Sequence, residues 1–186
     1  MPILDGNEQE RQGVLATANL MVVAARTAPK TGGQDDILTA VVVGKEIETL
    51  AAEMEKFAQE RKVELWKQQA PMVRGADVIV LIGVRGTKPY VTGCGACGYG
   101  SCEEFGKAEK KMRQDFEGPS CIFKTLDLGI ALGSAVKIAS TLNVDNRIYY
   151  RIGAVAKRLK YLPEASLIIG IPLSATGKNP HFDRKL

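Results

Sequence analysis

Four cysteines fall within 28 residues of this 186-residue chain, at Cys94, Cys97, Cys102 and Cys121, and the rest of the sequence has none. Their spacing is C-x2-C-x4-C-x18-C, in GCGACGYGSC…GPSC. In a reducing cytoplasm clustered cysteines hold metal or do redox chemistry more often than they form disulfides. Gly93, Gly95, Gly98 and Gly100 are interleaved with the first three. Glycine reaches backbone conformations closed to other residues, so such a loop can turn three thiolates inward and bring amide N–H groups close to sulfur. Ser101-Cys102-Glu103-Glu104 has the form of a capping box, with Ser101 as N-cap and Glu104 reaching back. Cys102 then falls in the first turn of a helix, whose positive end lowers a thiol's pKa. Cys121, after Gly118-Pro119, returns the fourth ligand from a second turn.

An iron–sulfur cluster, of the [4Fe–4S] type, is the leading reading of this pattern. A structural zinc site usually draws on two C-x2-C knuckles, and only one is present. CGAC also has the form of a thioredoxin-like redox pair, which leaves two neighbouring cysteines idle. Gly93-x-Gly95-x-x-Gly98 formally matches the dinucleotide fingerprint. It fails on context, because the preceding strand ends at Val84 and two positions inside the match are cysteines.

The remaining composition excludes more than it suggests. One histidine, His181, leaves few routes to a histidine triad or a multi-histidine metal centre, and it reads as a tail residue. Twenty-five Lys and Arg against 21 Asp and Glu give a net charge of +4 with both signs interspersed, which does not point to nucleic acid. The first residues are polar and acidic, unlike a signal peptide, and no apolar run is long enough to span a bilayer. A soluble cytoplasmic protein is expected. Lys107, Lys110 and Lys111 beside the cysteine loop offer a docking surface to an acidic electron-transfer partner.

Along the chain, residues 14–26 (VLATANLMVVAAR) predict a helix that stops before Pro29 and Gly32-Gly33. Residues 37–43 and 78–84 are short β-branched runs that predict buried strands. Between them, residues 45–61 space Ile47, Leu50, Ala51, Met54 and Phe57 three and four apart, an amphipathic helix, and residues 65–74 carry a weaker pattern with Pro71 inside it. Residues 85–124 break the pattern and form a cysteine-rich insert with one charged helix over about 102–116. Helices over 126–142 and 146–159 and a strand over 166–173 follow, with Asp127 read as a helix cap. Phe105, Trp66, Tyr149 and Tyr150 read as core or interface residues.

CGACGYGSCEEF resembles the small cluster-binding domain of Rnf-type electron-transport subunits and corrinoid iron–sulfur proteins. There a C-x2-C-x4-C loop and a more distant cysteine hold a [4Fe–4S] cluster. AARTAPK (24–30), DLGIALGSAVKIASTLNVDNRI (127–148) and IIGIPLSATGKNPHFDRK (168–185) resemble the first helix and flavin loop, the central helix, and the final strand and basic tail of nitroreductase-like flavoproteins. Together these resemble ferredoxin-domain-containing proteins of unknown function. The resemblance implies an α+β fold: a nitroreductase-like mixed sheet flanked by helices, one domain over 1–186 with the iron–sulfur insert at 85–124. It implies that FMN would be held by Arg26, Thr27, Lys30, Gly32 and Gly33, with Lys178 and Arg184 from the tail, and that the protein is a homodimer. The arginine cluster that precedes the first helix in nitroreductases has only Arg11 as a counterpart here. The expected function is a redox protein, an FMN-dependent reductase fed by a [4Fe–4S] cluster and serving a redox partner protein or a small-molecule electron acceptor. A flavin-free electron carrier and a zinc-stapled domain are the alternatives.

Overall fold

All seven residues of strand β2 (Val78–Val84) are buried, and their alternation explains the architecture. Ile79 and Leu81 join one apolar cluster, while Val78, Val80, Ile82 and Val84 join a second. Successive strand side chains point to opposite faces, so β2 carries a core on each side of its sheet. The computed structural model describes residues 3–90 and 93–182. Helices α2 (Lys45–Arg61), α3 (Glu64–Arg74) and α6 (Tyr150–Arg158) cover one face, with Leu50, Met54, Trp66, Val73 and Ile152 buried there. Helices α1 (Gly6–Thr27) and α5 (Ile122–Thr141) cover the other through Val14, Met21, Leu128 and Ala135. The unbroken apolar run of β2 therefore reports two-sided burial.

The sheet contains β1 (Ile37–Val43), β2, β6 (Leu167–Ser174) and β5 (Asp145–Asn146), in the order β1-β2-β6-β5. The α+β class holds, but every pair in this sheet is antiparallel, where a mixed sheet was expected. The connection between β1 and β2 shows why. A single crossover helix returns the chain to the end where the first strand began, which gives a parallel neighbour. Here two helices, α2 and α3, follow in succession around the left-handed turn at Lys62, and they deliver β2 in the opposite direction. Ile37, Val84 and Leu167 share one end of the sheet, and Val43, Val78 and Leu173 share the other.

Several boundaries differ from the sequence expectation. Helix α1 starts at Gly6 because the Asp5 side chain accepts from the amides of Asn7 and Glu8, at 2.7 and 3.2 Å. Chain 146–149 is not helical: Asp145–Asn146 pairs with Leu173 and Ser174, and Tyr149 bridges Gly170, so α6 begins at Tyr150. The charged helix of the insert, α4 (Cys102–Lys107), stops after six residues, and a hairpin of β3 (Lys111–Met112) and β4 (Glu117–Gly118) follows. That hairpin is held to the main body at Asp115. Arg61 pairs with the Asp115 carboxylate and donates to the Gln114 carbonyl at 2.7 Å, while the Tyr150 hydroxyl donates to Asp115 at 2.5 Å. Burial and the Asp115 charge push the Tyr150 phenol up to about 12. Among the described residues no helix is long and apolar enough to cross a membrane.

Candidate functional site

The insert leaves and rejoins the sheet at the end marked by Val84, and both of its ends are pinned there. Arg85 N–H donates to the Asp36 carbonyl at 3.0 Å, and Cys121 N–H donates to the Gly86 carbonyl at 2.7 Å. A Cβ on Gly86 would lie 2.8 Å from Ser166 Oγ and 3.1 Å from Ser120 Oγ, so only glycine lets the two ends approach so closely. Cys121 is thereby fixed at the N-cap position of α5, with its side chain buried.

One turn further on, α5 turns polar residues into the protein. Lys124 is 0% exposed, and its ammonium lies 2.5 Å from Asp36 Oδ2 and 3.4 Å from Gln34 Oε1. Lys88 donates to the other Asp36 oxygen at 3.2 Å. Burial alone would raise the Asp36 carboxyl, but the two ammonium groups outweigh it and hold the acid below the usual carboxylate range. Asp127 is also buried, and it is not a cap of its own helix. Its Oδ1 accepts from the amide and the hydroxyl of Thr31, at 2.9 and 2.8 Å, so it anchors the short 3-10 turn Thr31–Gly33, and its Oδ2 has no protein partner. The reading of Asp127 as a cap failed because it assumed a later helix start.

The residues expected to hold a flavin divide into two groups. Arg26 and Thr27 end α1, and Lys30, Gly32 and Gly33 follow in its connection to β1. Arg26 pairs with Asp35 at 2.5 Å and donates to the Ile37 carbonyl at 2.7 Å. Thr27 Oγ1 donates to the Val23 carbonyl, and the Lys30 ammonium donates to the Ala28 carbonyl at 2.9 Å and to that of Arg26. Gly32 and Gly33 have φ of 58° and 68°, and the Tyr90 hydroxyl lies 1.7 Å from where a Gly32 Cβ would stand. Lys178 follows β6, whose last residue Ser174 lies at the sheet end remote from this loop, and it is exposed. Arg184 lies outside the described residues.

Of the four thiols, all free of disulfides, Cys94 is exposed, Cys97 half-buried, and Cys102 and Cys121 buried. Gly93, Gly95 and Gly98 adopt φ of 69°, 64° and 87°, the left-handed conformations the loop needs. The capping box forms: Ser101 Oγ accepts from Glu104 N–H at 3.1 Å, and the Glu104 carboxylate accepts from Gly100 N–H at 2.8 Å. Phe105, 1% exposed, stacks edge-on against Tyr99 and carries the Lys110 ammonium 3.7 Å above its ring. Desolvation there pulls Lys110 down, opposed by the Cys97 charge. Lys107 and Lys111 are paired with Glu103 and Glu109 at 2.5 and 2.6 Å. Among the described residues no three His, Cys, Asp or Glu side chains are drawn close enough to grip a metal ion. The insert therefore offers four thiols on a permissive backbone without closing them on one point. As a donor set, four thiols with no imidazole among them fit an iron–sulfur cluster.

His181 is not a loose tail residue. It is 0% exposed, its Nε2 lies 3.1 Å from Ser174 Oγ, and its carbonyl accepts from Tyr149 and Arg147. Sequence reasoning also passed over Asp36 and Lys124. A lysine and an aspartate three residues apart, Lys124 and Asp127 in a helix whose only other charged residue is Lys137, were the available signal.

The family model described as "Uncharacterized protein containing a ferredoxin domain" matches residues 117–184, a span that includes Cys121 but not the other three cysteines. A protein of Archaeoglobus fulgidus, described only as an uncharacterized protein, is 44% identical over 182 residues, covering 98% of this chain and 97% of its own. Among solved structures, the chain is similar to an FMN-dependent nitroreductase from Clostridium difficile (TM-score 0.54, 14% identity, 88% of this chain and 76% of that one). It is also similar to an NADPH:FMN oxidoreductase from Vibrio harveyi complexed with NAD+ (TM-score 0.54, 14% identity, 100% of this chain and 66% of that one). At these identities the likeness establishes a shared nitroreductase-type fold.

Proposed function

The chain belongs to the family of uncharacterized proteins containing a ferredoxin domain, and from that premise we propose that it is an iron–sulfur redox protein whose cluster feeds a flavin bound at the Arg26–Gly33 loop. Family and fold together support a redox protein in general. The finer reading is carried by one observation. Helix α5 bears Cys121 at its start and Asp127, bonded to the flavin-type loop, six residues on. At 1.5 Å of rise per residue these two points are about 9 Å apart along the axis.

Cys94, Cys97, Cys102 and Cys121 would hold a [4Fe–4S] cluster, and Lys30 with the backbone of Gly32 and Gly33 would hold FMN. A cluster held there would supply one-electron chemistry and FMN two-electron chemistry. The chain's own part is to orient both groups: Cys121 is pinned through Gly86, and Asp127 fixes the loop through Thr31. A second copy completes the assembly. Ile122, Leu126 and Ile130, spaced four apart, form an exposed apolar stripe on α5, and Leu20 and Val23 are exposed on α1. Gly129 and Gly133 have open space where a Cβ would stand, and glycine within a helix costs about 1 kcal/mol, which close packing of another helix offsets. The partner is a redox protein or a small-molecule electron acceptor, in a reducing cytoplasm.

A flavin-free electron carrier is the second reading, favoured because Arg26 Nη1, Thr27 Oγ1 and Lys30 Nζ already donate to carbonyls of the protein itself. Anaerobic purification with quantification of iron, sulfide, zinc and flavin tests both. About four irons with sulfide and bound FMN support the first; a loaded cluster that never takes FMN supports the carrier. Stoichiometric zinc without sulfide, persisting after anaerobic reconstitution, overturns both. Cys121→Ser should remove or convert the cluster absorbance, and an unchanged spectrum excludes it as a ligand.

A further inference from the structure

Burying a lysine is costly, and a chain that only had to close this corner of the sheet could use a pair of apolar residues at no loss of stability. Lys124 nevertheless lies wholly inside the protein, one helical turn after Cys121, with Asp36 as its counter-ion. Three surroundings fix the ammonium: the Asp36 carboxylate at 2.5 Å, the Gln34 amide oxygen at 3.4 Å, and the Tyr90 ring, whose centroid is 5.5 Å away. These partners come from the stretch between the flavin-type loop and β1 and from the segment that leads into the cysteine loop. Asp36 is shared with Lys88, so two ammonium groups face one carboxylate at the root of the insert.

We propose that Lys124 is a charge-compensating residue of the redox site, a fixed buried cation that favours the reduced state of the cluster ligated at Cys121. The inference rests on the iron–sulfur reading above and adds to it a residue outside the ligand set. Reduction adds one electron and breaks no bond, so the site gains one negative charge. In a buried setting a positive charge within one turn lowers the free energy of the more negative state far more than it would in water. Asp36 acts in the opposite sense, and its main contribution is to hold the ammonium in place.

The test is an anaerobic potentiometric titration with dithionite as the one-electron donor, followed by visible absorbance and electron paramagnetic resonance. At a fixed applied potential, Lys124→Met should lower the ratio of reduced to oxidised cluster about tenfold, equivalent to about 59 mV for a one-electron couple. Lys124→Arg keeps the charge and should stay within about threefold of the wild type. Asp36→Asn should shift the ratio in the opposite direction, and Asp36→Asn with Lys124→Met should return it toward the wild-type value. If Lys124→Met alone does not fold, Asp36→Asn should still raise the ratio and the double variant should still bring it back toward the wild-type value. A purely structural Lys124 would lower thermal stability and leave the midpoint where it was. Equal midpoints in all loaded variants overturn this inference alone. A wild-type chain that takes up no iron and sulfide overturns the iron–sulfur reading together with it.

Discussion

Replacing Gly153 by alanine tests how closely α6 lies on β6. A Cβ at this position would sit 1.7 Å from the Ile168 carbonyl oxygen, 2.4 Å from its carbon and 2.9 Å from Ile169 Cα. Ordinary van der Waals contact begins near 3.4 Å, so strand or helix must retreat by about 1.7 Å. Neither is a flexible side chain. The strand is the inner partner of both β2 and β5, and the helix buries Ile152, Ala154, Val155 and Ala156. Overpacking a tight core costs about 1–3 kcal/mol, and the upper end applies when only backbone can yield. Alanine recovers about 1 kcal/mol of helix propensity, which leaves a net loss of about 2 kcal/mol. For a chain of this size that is a fall in Tm of about 4–8 °C. The shift also moves Tyr150 away from Asp115, so hydrogen exchange at Arg113 N–H, bonded to the Phe116 carbonyl at 3.1 Å, should accelerate. Gly13→Ala is the control, because an added Cβ there meets nothing within 4 Å, and it should leave Tm unchanged or raise it. A Gly153→Ala protein as stable as the wild type, with the control behaving as expected, would show the close approach to be wrong.

His181 is held down to about 4, chiefly by burial and then by the Arg147 charge, so its neutral form is the one the fold accepts. Stability is therefore complete above the ordinary histidine range near 6.5 and should fall as pH drops from there toward 4, by about 3 kcal/mol; chemical denaturation of His181→Asn across this window should show most of that slope lost. Asp115→Ala removes the hydrogen bond and charge that Tyr150 faces and leaves only burial to raise it, so the Tyr150 phenol should titrate lower than in the wild type by ultraviolet difference spectroscopy, and the hairpin should become cleavable by protease. Leu126→Asp places a charge in the exposed α5 stripe and should convert a dimer to monomers by light scattering while leaving the far-ultraviolet circular dichroism unchanged.

The sequence was legible wherever one physical pattern ruled a segment. Strands at 37–43 and 78–84 and the helix at 45–61 appear with the expected limits, because period and turn residues agree there. The glycine conformations and the capping box of the cysteine loop were legible for the same reason: each is a local device. What escaped was set by distant partners. The charged stretch after Cys102 looks helical over 102–116, yet Arg61 and Tyr150, from other helices, draw Asp115 into a hairpin. His181 looks like a tail residue until Tyr149 and Ser174 are seen to enclose it. Asp36 and Lys124 are 88 positions apart, and neither has a local pattern that names the other.

The antiparallel sheet carries a consequence for how a flavin phosphate could be neutralised. The Thr31–Gly33 turn leads into Ile37, which shares a sheet end with Val84 and Leu167. Lys178 follows Ser174, at the other end of an eight-residue strand that spans about 24 Å. Within one chain the tail lysine and the loop are therefore separated by the length of the sheet. Under the proposed function, Lys178 would reach such a phosphate only from a second copy. The four cysteines proposed as iron–sulfur ligands all lie in one insert and would need no partner. Flavin uptake should then depend on the dimer, whereas cluster uptake should not. The monomeric Leu126→Asp variant separates them: it should retain iron and sulfide at wild-type levels and lose FMN. A monomer that keeps tightly bound FMN would place the whole flavin site on one chain and remove Lys178 from it.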